Sequence, residues 1–202
     1  MRRLPWPALL VGLVLVGGVS VGLWKAASPT HADGEGDLAL AGSPDAWSAD
    51  VVDPQGRTDF TFGLEVCNQT GVRAIVLTSV AATAYVGSGA TLIGARTFER
   101  ALNEDGILET DGYPPTQVAA DRLRDLAGSE VRILCNGYGS TEILIGLRIN
   151  GPTGGGWRGV SIAYTVGSRA RVLLANEYLV ICGTVLRCHA DMVTRDMPAS
   201  SP

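Results

Sequence analysis

The sequence predicts an all-β protein, an antiparallel β-sandwich over residues 51–190, carried by a single N-terminal transmembrane helix and a flexible linker. Three observations carry this reading. From Phe60 to Cys182 the apolar residues recur at every second position rather than at helical spacing. Turn-forming residues interrupt these runs at short intervals, as sandwiches require. Ahead of them stands one long apolar run behind a pair of arginines. With 46% apolar and only 18% charged residues, the chain is neither disordered nor a coiled coil.

The N-terminal segment, residues 1–27, reads as a signal-anchor. Leu4–Trp24 is almost wholly apolar, and as a helix it reaches about 31 Å, one hydrocarbon core. A cleavable signal has a shorter apolar stretch of about 7–15 residues. Arg2 and Arg3 before the run, against Lys25 after it, direct the N-terminus to the cytoplasm. The expected location is therefore the cell membrane, single-pass, with the domain on the extracytoplasmic side. The alternative is a secreted protein, cleaved after the small-x-small pattern Thr30-His31-Ala32. Residues 28–50 are rich in Gly, Ala, Ser, Pro and Asp and bury too little apolar surface to offset ordering entropy, so they read as a tether. Residues 191–202 read as a disordered tail. The intervening stretch of about 140 residues suffices for a real core. Fifteen Arg against one Lys suggest a high-GC bacterial genome.

In the domain, Phe60, Phe62, Leu64 and Val66 share one strand face, with Thr61, Gly63 and Glu65 opposite. Asn68-Gln69-Thr70-Gly71 is a polar turn, and Val72–Val80 reads as the return strand of a hairpin. Glu130–Cys135 is a short strand. Ile143, Ile145, Leu147 and Ile149 alternate with Glu142, Leu144, Gly146 and Arg148, and the Asn150–Gly156 stretch is a loop. Val160, Ile162, Tyr164 and Val166 form a further strand, followed by Ala170–Leu174 and Tyr178–Cys182. One helix is expected, Thr116–Ala127, behind Pro114-Pro115 and ended by Gly128. The alternating strand ending in Asn-x-Thr-Gly, with an apolar strand after it, resembles the Ig-like sandwich modules of bacterial surface proteins. The resemblance covers about twenty residues of the chain. It implies an Ig-like fold and no particular activity, because such sandwiches host unrelated functions.

Cys67, Cys135, Cys182 and Cys188 are an even set, which in an extracytoplasmic chain points to two disulfides. Cys135–Cys182 is the preferred pair, both lying in apolar strands, with Cys67–Cys188 as the second. The competing arrangement joins Cys182 to Cys188 and Cys67 to Cys135. No Cys-x-x-Cys occurs for zinc or thioredoxin-like chemistry, and Cys188-His189 lacks the upstream cysteine of a haem attachment site.

The remaining motifs point to structural uses. Without residues 1–27 the chain holds 13 basic against 20 acidic side chains, which argues against nucleic acid as partner. Two histidines, His31 and His189, leave little room for His-dependent catalysis. Glu99, Glu104, Asp105, Glu109 and Asp111 could ligate Ca²⁺, but their spacing misses the EF-hand loop and a solvated loop is the simpler reading. Asn68-Gln69-Thr70 is formally a glycosylation acceptor. Trp47 and Trp157 could form an aromatic surface, with core packing the simpler use of Trp157. No catalytic residue, metal ligand or cofactor is selected. The expectation is a non-catalytic interaction or structural module that meets the membrane and an envelope protein or polymer. The alternatives are a hydrolase of envelope polymers using two carboxylates and a disulfide redox module.

Overall fold

A computed structural model describes residues 36–41, 48–52, 59–71, 73–83, 85–86, 90–150 and 155–181. The expected membrane span Leu4–Trp24, the tail 191–202, Trp47, Cys182, Cys188 and His189 lie outside these residues. Among the described residues the protein is all-β, with no helix, and therefore none long and apolar enough to cross a membrane.

The described residues form two six-stranded sheets. The first contains β1 (Leu38–Leu40), β3 (Asp59–Asn68), β6 (Ala90–Ala101), β7 (Glu109–Asp111), β8 (Arg124–Asp125) and β10 (Gly139–Ile149). Its order is β1-β3-β10-β6-β8, with β7 also on β3. The second contains β2 (Ser48–Val52), β4 (Ile75–Ala82), β5 (Tyr85–Val86), β9 (Glu130–Val131), β11 (Gly155–Val166) and β12 (Arg169–Ile181). Its order is β2-β12-β11-β4-β9, with β5 on β11. All ladders are antiparallel except β2 beside β12.

The period-two pattern sets which faces meet. Phe60, Phe62, Leu64 and Val66 of β3 and Ile143, Ile145 and Leu147 of β10 join Ile75 and Leu77 of β4, Trp157, Val160 and Ile162 of β11 and Leu179 of β12 in one buried core. Phe62 and Trp157 meet edge to face at 5.7 Å. Each such side chain contributes roughly 2 kcal/mol through burial. Trp157, 1% exposed, is thus a core residue.

Five expectations are corrected. The Asn68–Gly71 turn is not the tip of a hairpin, because β3 pairs with β1, β7 and β10 while β4 belongs to the other sheet. The Asn68 side chain turns the chain between sheets: Oδ1 accepts from the amides of Thr70 and Gly71, and Nδ2 donates to the Arg73 carbonyl at 3.0 Å. The two strands expected at Ala170–Leu174 and Tyr178–Cys182 are one, β12, paired along β11. Gly155 and Gly156, expected in a loop, open β11.

The helix expected at Thr116–Ala127 is absent, replaced by turns and β8. Its apolar side chains serve two different cores: Val118 and Leu123 pack with Phe98, while Leu126 enters the main core. One helical stripe cannot supply both. Finally, the stretch expected to be only a tether contributes β1 and the start of β2, and Leu38 is 1% exposed in the main core.

Candidate functional site

The outward register of the first sheet is where the sequence carries unusual residues. On β3 it holds Thr61, Gly63 and Glu65, and on β10 Glu142, Leu144 and Gly146. In an open sheet these side chains would meet water. Here Leu144, Thr61 and Glu142 are each 1% exposed or less.

The cover is the segment Leu102–Ser129, which leaves the end of β6, crosses β10, pairs as β7 with β3, and returns to pair as β8 with β6. Glycine permits the close crossing: a Cβ at Gly63 would lie 1.7 Å from the Ile107 carbonyl oxygen, and one at Gly146 2.4 Å from the Tyr113 ring. Beneath this strap Phe98, Val118 and Leu144 form a second small core, flanked by Ile107 and Leu123. The Arg122 guanidinium stands 5.3 Å from the Phe98 ring centre, a cation–π contact. The Gly63 amide donates to the Leu108 carbonyl at 2.9 Å, and the Thr61 hydroxyl donates to the Gly112 carbonyl.

The strap also covers the innermost member of a polar cluster, Glu142. Glu142 and Glu65 are register partners on β10 and β3. Directly opposed side chains of this kind have Cβ atoms about 5 Å apart. A Cβ on Gly106 would stand 2.8 Å from Glu65 Oε1 and 3.4 Å from Glu142 Oε2, so both carboxylates close on the same point of the strap. Arg100 of β6 bonds Glu65 Oε2 and donates to the Glu104 carbonyl at 2.7 Å. Its Nε lies 3.8 Å from Glu142 Oε2, too far for a hydrogen bond. Glu142 Oε1 accepts from the Ile107 amide at 2.6 Å, while Oε2 has no hydrogen-bond partner among the described residues. Burial raises the Glu142 carboxyl to about 7; the Ile107 amide opposes that rise and the Glu65 charge adds to it. Glu104, gripped by Arg122, is held low, at about 2.

Acid–base cleavage of a glycosidic bond needs two carboxylates flanking a substrate-filled gap. Here Glu142 is closed over by Gly106 and Ile107, while Glu65 keeps 27% of its side chain exposed and is bonded to Arg100. An open depression of about 730 Å³ lies nearby between Phe98, Glu99, Leu123, Asp125 and Arg132, but neither carboxylate lines it.

The structure joins Cys67 of β3 to Cys135, with Cα atoms 4.8 Å apart. The preferred pairing of Cys135 with Cys182, and of Cys67 with Cys188, is thereby corrected. Pairing Asn68 with Leu134 as an isolated bridge brings the two cysteines together, a contact no strand pattern announces. The sequon is also accounted for: Asn68 is 3% exposed and its amide nitrogen is committed to Arg73, which leaves it unfit as a glycosylation acceptor in the folded domain. The acidic stretch disperses, with Glu104 on Arg122 and Glu109 and Asp111 on β7. Among the described residues no three His, Cys, Asp or Glu side chains gather closely enough to hold a metal ion.

The carboxylate pair itself was not selected from sequence. Its signal was Glu65 and Glu142 in the outward registers of two strands, but only the pairing of those strands makes them neighbours.

No family model matches the chain, and no curated protein matches it. Among solved structures, the secreted serine protease VesC from Vibrio cholerae is similar over 65% of this chain at 10% identity, with a TM-score of 0.27. The chain spans about a fifth of that structure, 21% of its length. A likeness of this degree carries no argument about fold or activity.

Proposed function

We infer that this chain displays one disulfide-stapled, Ig-like β-sandwich on the extracytoplasmic side of a bacterial membrane, anchored by residues 1–27, as a non-catalytic interaction or structural module of the envelope. The observation that carries the non-catalytic part is the burial of one of the paired acids: Glu142 is 1% exposed beneath Ile107, where a polymer chain has no approach. Two sheets on one core support the sandwich, and the Cys67–Cys135 bridge supports an oxidising compartment. The Leu4–Trp24 run supports the single span, with secretion after cleavage as the alternative.

The test is to express the full chain, separate membrane from medium, and offer the purified protein a panel of envelope polymers. The reading predicts a membrane-bound protein that captures a polymer or protein without cleaving it. Cleavage abolished by Glu65→Gln alone establishes the second reading, a two-carboxylate hydrolase, which the juxtaposition of Glu65 and Glu142 favours.

A further inference from the structure

We propose that the Leu102–Ser129 strap is a proton-controlled cover, closed on the first sheet when Glu142 is protonated and loosened along residues 102–113 when Glu142 gives up its proton. The proposal rests on the cluster's geometry and holds whether or not the chain is anchored.

The groups that face Glu142 come from every element around it. β3 brings the Glu65 carboxylate, β6 the Arg100 guanidinium, and the strap the Glu104 carboxylate, which Arg122 keeps ionised. A single guanidinium therefore serves two carboxylates, and its contact with Glu142 is the longer one. Ionised Glu142 keeps one amide donor on Oε1 and leaves the buried Oε2 without a hydrogen bond. That arrangement is costly in a dry site. Protonated Glu142 removes one of the two like charges that converge beside Gly106. Lifting the strap hydrates Glu142, whereas Glu65 is already partly exposed. The raised affinity of Glu142 for its proton agrees with this balance and puts the transition near neutral pH.

The contacts that loosen are confined to one segment. The Ile107 amide leaves Glu142, the Gly63 amide leaves the Leu108 carbonyl, the Gly112 amide leaves the Asp59 carbonyl, Thr61 and Arg100 leave the Gly112 and Glu104 carbonyls, and the three-residue β7 leaves β3. The main core on the opposite face of the sheet is untouched by these changes. Local openings of this kind are the low-energy end of a protein's fluctuations.

The experiment is hydrogen exchange on the full-length chain in mild detergent at pH 5.5 and pH 8, with and without a low urea concentration, following the Ile107 amide and, as reference, Ile162 in the main core. With the proton held to about pH 7 in the closed state and lost near 4.5 in the open one, Ile107 protection should fall roughly 25-fold beyond the intrinsic change in exchange rate. Its opening should be insensitive to urea, whereas Ile162 exchanges through urea-sensitive global unfolding. Glu142→Gln should abolish the pH effect at Ile107, and Glu65→Gln, which removes the opposing charge, should shrink it. The proposal is overturned if Ile107 shows no excess pH dependence, if that dependence survives Glu142→Gln, or if Ile107 follows Ile162 in its urea response. The wild-type comparison alone decides the first and third outcomes should either variant fail to fold.

Discussion

Replacing Glu142 by Gln keeps the shape and the acceptor that Ile107 uses, and removes a titrating group that the strap buries almost completely. In the folded protein Glu142 holds its proton to about pH 7, against an ordinary value of 4.5. At 1.36 kcal/mol per pKa unit, that gap corresponds to about 3 kcal/mol of folding stability. Below pH 4.5 both folded and unfolded chains carry the proton and the contribution is complete. As pH rises, the unfolded chain releases the proton first, so stability drains away until the folded state also releases it near pH 7, and is flat beyond. The Gln variant has no such window. Urea denaturation followed by circular dichroism from pH 4 to pH 9 should therefore show the variant gaining about 3 kcal/mol on the wild type between pH 4.5 and 8, or roughly 9 °C in Tm for a domain of this size. Titrating groups outside the Glu142 cluster cancel in the difference. A variant-to-wild-type difference constant with pH to within about 0.5 kcal/mol would refute the buried, poorly compensated carboxylate.

Other consequences concern the strap and the bridge. Leu144→Ala should cost about 2–5 kcal/mol in urea titrations because Leu144 is fully covered, whereas an exposed strand residue would cost under about 0.5 kcal/mol. Gly63→Ala places a Cβ against the Ile107 carbonyl, so limited proteolysis should cut the 102–113 stretch much faster than in the wild type. Opening the Cys67–Cys135 bridge, which closes a separation of 68 residues, should lower stability by about 4 kcal/mol, readable as the shift in urea midpoint between Cys67→Ser/Cys135→Ser and the parent.

Much of the first core was legible because a period of two leaves little ambiguity when the face is as apolar as Phe60–Val66 or Ile143–Leu147. What those runs cannot report is which strand lies beside which. β3 and β4 follow one another across a short turn and still part into different sheets, since the Asn68 side chain, rather than a two-residue hairpin, sets the corner. β6 escaped notice because its outward positions hold Arg96, Phe98 and Arg100, so both faces read as mixed. The strap escaped for a related reason. Its polar, Gly- and Pro-containing sequence looks like a surface loop, and the evidence that it covers something lies in the residues it covers. Leu144 and Gly146 in the outward register were that evidence, an apolar side chain and a missing one where an open sheet wants polar groups. The carboxylate pair follows from the same register and became visible only once β10 was set against β3.

The covered outer face of the first sheet is the claim on which both the non-catalytic reading and the proton-controlled strap depend. Hydroxyl-radical footprinting of the full-length protein at pH 5.5, read by mass spectrometry, tests it directly. The account predicts that Leu144 and Phe98 resist oxidation while Leu108, 70% exposed, and Tyr138, 86% exposed, are modified readily. Oxidation of Leu144 at a rate comparable to Leu108 would contradict it, leaving Glu142 beside it open to solvent.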